Sequence, residues 1–182
     1  DNVYADRLEP LGLLNGDGFF RKADMVYLRN IYAKQLREPG YAQLRSATPI
    51  VGTWDDHDMG INDGDKTFPG KHWSQAAFFD FMQEPPDSPL RSQEGVYSSR
   101  LFKFNGGSVL VVNLDLRYNR DPDGTPNGDF LGEAQWHWLE QTLSNSSARV
   151  HIFVSSLQLL PVVVRRPGEN WRRFPSARDR FL

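Results

Sequence analysis

"TPIVGTWDDHDMG", residues 48–60, runs from a short apolar stretch straight into three carboxylates and a histidine, Asp55 to Asp58. The apolar part, Thr48 to Thr53, is short, rich in β-branched residues and bounded by polar sequence, which predicts a buried strand. Two further runs, Ser108 to Leu114 and Val150 to Ser155, read the same way. Between the three lie stretches of helical periodicity. In "GFFRKADMVYLRNIYAKQLREPG" the residues Phe20, Met25, Leu28, Ile31, Tyr32 and Leu36 recur at mostly three- and four-residue spacing, and Pro39-Gly40 is expected to stop the helix. "HWSQAAFFDFMQEPP" predicts a second helix ending before Pro85, and "GEAQWHWLEQTLSNSS" a third. Buried strands separated by helices imply an α/β fold. No fixed-period repeat, low-complexity segment or linker divides the sequence, so residues 1–182 read as one unit.

The ends of the apolar runs point to a site. The first run ends in "WDDHD", the second in "DLRYNRD", the third in "SSLQ", so polar groups gather where the apolar pattern stops. In open α/β sheets the ligand crevice lies beyond the carboxyl ends of the strands, which would bring these clusters together. The opening "DNVYAD" would join them if a strand ended just upstream.

Bulk composition narrows the chemistry. The 182 residues are 39% hydrophobic and 13% aromatic, enough for one globular domain or a large piece of one. A formal net charge of -2 gives no global field that would single out nucleic acid or an anionic membrane. With 0 cysteines there is no disulfide framework and no thiolate site, so a metal must be held by oxygen and imidazole. No apolar run approaches the roughly 20 residues that span a bilayer. The start on "DNVYAD" without an initiator Met and the end on "RDRFL" lead us to expect an excised or processed piece.

Each polar cluster has a plain reading and a sharper one. For "WDDHD" the plain reading is a solvated turn with an Asp cap. Four adjacent ionisable residues behind a buried strand favour more, because neighbouring carboxylates repel unless a cation or strong donors compensate. A cation held by Asp oxygen, with His57 beside it as ligand or acid, removes the conflict. If Asp56 points to that site, Asp55 caps or anchors the turn and Asp58 supports it. Arg117 and Arg120 suit phosphate oxygens, since a guanidinium presents a fixed fork of donors, but Arg120 could equally balance Asp115 and Asp121 on the surface. The stretch from Asp123 imitates a calcium loop, yet Glu133 falls one residue early for its last ligand, so it reads as a polar loop. The arginine-rich "RRPGENWRRFPSARDRFL", Arg165 to Arg180 and beyond, reads as a solvated helix face with packed stems; the sharper alternative is a basic wall for a phosphorylated substrate. His72, His137 and His151 are expected to be structural. No G-x-S-x-G, Walker loop or G-x-G-x-x-G occurs.

Taken in order, "DNVYAD", "TWDDHD", "NLDLRYNRD", "LGEAQWHWLE", "SSLQLL" and "ENWRRFP" resemble the PhoD-like alkaline phosphatases, a branch of the calcineurin-like metallophosphoesterases. The resemblance spans residue 1 to about residue 180 and implies an αββα sandwich, two β-sheets flanked by helices, with a multinuclear metal centre at the strand ends. It implies hydrolysis of phosphate mono- or diesters by a metal-activated water, with iron and calcium as the metals and zinc or manganese as alternatives. Residue by residue, Asp1 would be the metal-bridging carboxylate, Tyr4 a ferric-iron ligand and Asp56 a ligand of the second metal. His57 would protonate the leaving oxygen or stabilise charge on the transferring phosphoryl group. Arg117 would contact phosphate, and Gln158 takes a place where relatives carry a metal-binding His or Asn.

The partner implied is a phosphorylated small molecule, with no specific nucleic-acid binding and no membrane span, and a secreted or lumenal location is favoured. The family's first metal motif and its last, of the form "SGDxHxAE", are expected outside residues 1–182, which makes the fold incomplete. Weak metal binding and slow turnover are therefore expected of this stretch alone. The rivals are a non-catalytic calcium-stabilised binding domain, using the acidic loops at 55 to 65 and 121 to 129, and a pseudo-enzyme.

Overall fold

In the computed structural model, which describes residues 1–8, 20–161 and 168–182, a two-residue antiparallel ladder pairs β1 (Arg7–Leu8) with β2 (Phe20–Arg21). Phe20, expected in the first helix, therefore lies in β2. The helix begins later, where the Asp24 side chain accepts the Tyr27 amide at 2.8 Å and caps α1 (Met25–Arg37). Its apolar stripe buries Leu28 and Tyr32 against the phenylalanine-rich helix at Lys71–Met82. Helix α1 ends at Arg37 with Glu38 extended at ψ 123°, so the stop expected at Pro39-Gly40 holds, and a new helix starts there. Pro39 sits in the first turn of a second helix, α2 (Pro39–Ala47), where its missing N–H costs nothing and its fixed φ suits the start of a helix.

Thr48 to Thr53 forms no ladder with any described strand, which corrects the strand expected there. Strand geometry alone is insufficient; a neighbour with a free edge must lie alongside. Here the segment is tied by side chains instead, with Thr53 Oγ1 donating to the Leu114 carbonyl at 2.7 Å and Asn2 Nδ2 donating to the Thr53 carbonyl at 3.1 Å. It leads into a single helical turn, α3 (Asp56–Met59), all four of whose residues are buried. Gly60 ends that turn at φ 111°, a left-handed conformation that glycine adopts without steric cost.

Helix α4 (Lys71–Met82) starts near the expected place and ends before Pro85; Phe78, Phe79 and Phe81 are buried on it. Each such ring contributes about 1.5–3 kcal/mol by leaving water. The sheet comes next: β3 (Ser98–Phe104) and β4 (Gly107–Asn113) form a hairpin across Asn105-Gly106, with Gly106 at φ 95°. Helix α5 (Gly132–Ser144) is the crossover to β5 (Val150–Val154), which pairs parallel to β4 in the sheet order β3-β4-β5. A short helix, α6 (Pro175–Phe181), closes the described chain. Strand β3 has no counterpart among the strands expected from sequence, because SSRLFKF shows neither a β-branched apolar run nor a regular alternation, and none of its residues is buried.

Two apolar clusters result. One gathers Leu28, Tyr32, Trp54, Met59 and the α4 phenylalanines; the other gathers Leu110, Val112, Leu114, Trp136, Leu139, Trp171 and Phe174 behind the sheet. The opposite sheet face leaves Phe102, Val150 and Ile152 exposed. The fold is thus the mixed α/β kind expected, and among the described residues the strands form one three-stranded sheet and one two-stranded ladder. Among the described residues no helix is long and apolar enough to cross a membrane.

Candidate active site

Asp58 organises the site although it need not touch a ligand. Fully buried, its carboxylate accepts the Asn2 amide at 2.9 Å, the Val3 amide at 2.9 Å and the Asp55 amide at 3.0 Å. Burial pushes its pKa above the ordinary range, opposed by these backbone donors. The donors come from the N-terminal segment and from the turn itself, so one side chain fastens residues 1–3 beside α3. Asp1 and Tyr4 are thereby carried to the same place as Asp56 and His57. Ligand atoms of Asp1, Asp56 and His57 lie within 4.8 Å of one another, Asp1 exposed and the other two buried.

His57 is fixed on two sides. Its Nδ1 is 2.6 Å from Asp6 Oδ1, and its ring stacks on Tyr4 with centroids 4.2 Å apart. A carboxylate can only accept, so Nδ1 carries the hydrogen of that bond. The other Asp6 oxygen, Oδ2, is buried without a hydrogen-bond partner among the described residues. Sequence reasoning missed Asp6; the one signal available was its place at the end of "DNVYAD", five residues beyond the candidate ligand Asp1.

Asp56 is a hub of a second kind. Its Oδ1 accepts the His57 amide at 2.9 Å and its Oδ2 the Asp63 amide at 2.8 Å. Asp63 holds φ 54°, in the left-handed region, which curls the chain back toward Asp56. Asp56, Asp63 and Glu169 form a second group of carboxylates with ligand atoms within 4.8 Å. Asp63 lies in the acidic loop at 55 to 65 and Glu169 opens the motif "ENWRRFP", but the sequence assigns neither a role of its own.

Arg117 lies at the back of this site and is 1% exposed. Its Nε donates to Asp55 Oδ1 at 2.6 Å, while Nη1 and Nη2 donate to the two oxygens of Glu169 at 2.8 and 2.6 Å. Burial works against its charge, but Glu169, Asp55 and Asp56 outweigh that and hold the guanidinium protonated. Arg120 joins the network, with Nη2 2.8 Å from Glu169 Oε1 and 2.6 Å from Asp123 Oδ1. The turn carrying both arginines is built on Asp115, which accepts the amides of Val96, Arg117 and Tyr118 and the Trp54 indole N–H. Asp55 occupies the cap position ahead of α3, as the sequence suggested.

The remaining expectations fall elsewhere. Gln158 is exposed on the turn after β5, with its carbonyl accepting the Trp171 amide at 3.1 Å. In the loop at 121 to 129, Asp121 pairs with Lys66, and Asp123 with Arg120 and Arg173, so these acids are neutralised by cations of the chain itself. Arg165 and Arg166 lie outside the described residues. Of the rest of that basic stretch, Arg178 pairs with Asp179, and Arg180 pairs with Glu133 and Glu140 and lies 4.5 Å from the Trp136 ring centroid. His72 bonds the Tyr118 hydroxyl, 46 positions away, while His137 meets Gln141 and His151 meets Ser146 in local contacts.

The donor set suits a metal. Carboxylate oxygens and an imidazole, gathered without thiolates, match hard or borderline cations. Residues 22–181 match the family model described as PhoD-like phosphatase. No curated protein sequence matches the chain. A solved structure described as "Structure of PhoD" superposes at a TM-score of 0.71 with 19% identity, over 100% of this chain and 41% of that one. The chain therefore spans less than half the length of that protein, and at this identity the likeness speaks for the fold.

Proposed function

The chain belongs to the PhoD-like phosphatase family, and from that premise we propose that Asp1, Tyr4, Asp56 and His57 form the metal-dependent phosphate-ester hydrolysis site of the protein. The observation that carries the reading is the approach of the Asp1 and Asp56 carboxylates to within 4.8 Å of each other, with a His57 ring nitrogen equally close to act on the ester, from two segments that the Asp58 carboxylate ties together through the Val3 amide, 55 positions away. A cation bound there would supply Lewis-acid polarisation of the phosphoryl group and lower the pKa of an attacking water. Asp1 and Asp56 supply the oxygens that hold it, and the resemblance to the family adds Tyr4. Iron and calcium are the metals we propose on the same ground.

The chain's own residues do the rest. His57, oriented by Asp6 at Nδ1, would in its doubly protonated form give the Nε2 proton to the leaving oxygen, or stabilise charge on the phosphoryl group. Asp6 fixes the ring rather than meeting the substrate. Arg117 contributes by holding Asp55 beside Asp56, since its fork is occupied by Glu169. No side-chain nucleophile is needed, in keeping with the absence of a G-x-S-x-G signature. Phosphorylated small molecules, as mono- or diesters, are the proposed substrates.

Hydrolysis of p-nitrophenyl phosphate and of its bis ester, with elemental analysis of the purified protein, tests the reading. Activity should vanish on chelation and return with metal. Asp56→Asn should lose both metal and rate, and His57→Ala should lose rate, by about 100-fold or more, while keeping metal. Full activity in the presence of chelator, or in Asp56→Asn, would refute it.

A further inference from the structure

We propose that Glu169 is a positioning residue for the metal-binding turn: acting through Arg117, it keeps the oxygens of Asp56 available to a cation. The inference rests on the reading of Asp56 as a metal ligand given above. Glu169 and Arg117 are 52 positions apart and meet in a two-point pair, with both carboxylate oxygens against both terminal nitrogens. A planar guanidinium gripped along that edge has no rotation left. Its third donor, Nε, then points at Asp55 Oδ1 at 2.6 Å, at the start of α3.

The grip also prevents a competing contact. Arg117 Nη2 stands 3.8 Å from Asp56 Oδ1, a little beyond hydrogen-bond reach, against 2.6 Å from Glu169 Oε2. Without Glu169 that edge keeps only the Gly64 carbonyl, 3.4 Å from Nη1, in a buried setting, and besides Asp55, already held by Nε, the carboxylate next in reach is Asp56, 3.8 Å from Nη2. An Asp56 oxygen captured by Arg117 is lost to a metal. Arg120, 2.8 Å from Glu169 Oε1, braces the carboxylate from its other side. The same cations explain the close approach of Asp56, Asp63 and Glu169: the two guanidinium groups supply the compensating positive charge there, so we assign no separate metal to that group.

The test is Mn²⁺ titration by calorimetry on the full-length protein, well below its melting temperature. Four variants are compared with the wild type: Glu169→Gln, Glu169→Asp, Asp56→Asn and, as a control for mere loss of stability, Leu143→Ala, on α5 against the apolar cluster behind the sheet. Glu169→Gln should weaken Mn²⁺ binding by about 10- to 100-fold, the usual effect of removing an outer partner of a metal ligand. Glu169→Asp, which keeps the charge at shorter reach, should recover part of that loss, and Leu143→Ala should bind as wild type.

Wild-type affinity in Glu169→Gln overturns the inference, and so does an equal loss in Leu143→Ala. If Glu169→Gln does not fold, Glu169→Asp decides by the same criteria. If Asp56→Asn binds Mn²⁺ as tightly as wild type, the reading of Asp56 as a ligand fails and takes the inference with it. Loss in Asp56→Asn with none in Glu169→Gln removes the inference alone.

Discussion

A buried carboxylate surrounded by backbone amides acts as an organiser, and Asp58 does so with both oxygens. It takes amide hydrogens from Asn2, Val3 and Asp55, so the segment bearing Asp1 and the turn bearing Asp56 share one anchor. Asp58→Asn replaces one acceptor oxygen by an NH₂ group facing those donors. The expected cost is roughly 2–3 kcal/mol, since hydrogen bonds to a charged group are worth about 1.5–3 kcal/mol each and one side of the carboxylate is retained. At about 2–4 °C per kcal/mol for a chain of this size, a thermal melt should fall by several degrees. An unchanged melting temperature would show that the clamp is dispensable. A supporting role for Asp58 on the turn is legible in the sequence, and the structure places it there. Its partners are not legible, because nothing in "WDDHD" says that residues 1–3 will lie alongside.

At the scale of elements, local signals succeeded where the decision was local. Helices α4 and α5 and strands β4 and β5 appear close to their expected limits, because helical or strand periodicity and flanking turn residues suffice to fix them. The segment at Thr48 to Thr53 failed, because a strand is a property of a pair. Gly60 shows the opposite case, a single residue that fixes an element's end. It holds φ 111°, and a Cβ placed there would come within 3.1 Å of the Ala23 Cβ. Gly60→Ala should therefore cost about 1–3 kcal/mol, from left-handed strain with added crowding, as measured by urea denaturation.

The turn after β4 makes a prediction about alkaline pH. Burial, reinforced by Glu94 and Asp115, pushes the Tyr118 hydroxyl up to about 12. A phenol whose folded pKa lies above its unfolded value favours the folded state while protonated. That stability is present below about pH 10 and is lost as pH rises from there toward 12. Melting temperatures measured between about pH 9 and pH 11.5, a range bracketing the ordinary phenol pKa, should decline less steeply in Tyr118→Phe than in the wild type.

For the whole molecule, the notable arrangement is a polar seam between two apolar clusters. Trp54 belongs to one cluster, yet its indole donates to Asp115 at 2.7 Å on the turn that leaves the other. Arg117, from that same turn, reaches Asp55 on one side and Glu169 on the other. Arg117→Met would leave those carboxylates buried without their shared cation. The expected loss is on the order of 3–5 kcal/mol, the range for breaking one partner out of a buried ion pair. Hydrogen exchange should then show α1 and α4 losing protection together with the sheet, because the seam couples the two clusters. A loss confined to one cluster would argue that each is stable by itself.

The sequence by itself determined three of the helices, α1, α4 and α5, the two core strands β4 and β5, and the family. These rest on short-range information: periodicity, turn chemistry and the order of a few motifs. It could not determine which charges meet. Asp6 against His57, Asp58 against residues 2 and 3, and Glu169 against Arg117 are contacts between segments 51 to 56 positions apart. Such pairings depend on distances set only when the chain has folded back on itself. Tertiary structure alone therefore decided that Arg117 faces inward to carboxylates, and that Glu169, far along the chain, grips the guanidinium whose Nε meets Asp55 ahead of the Asp56–Met59 turn.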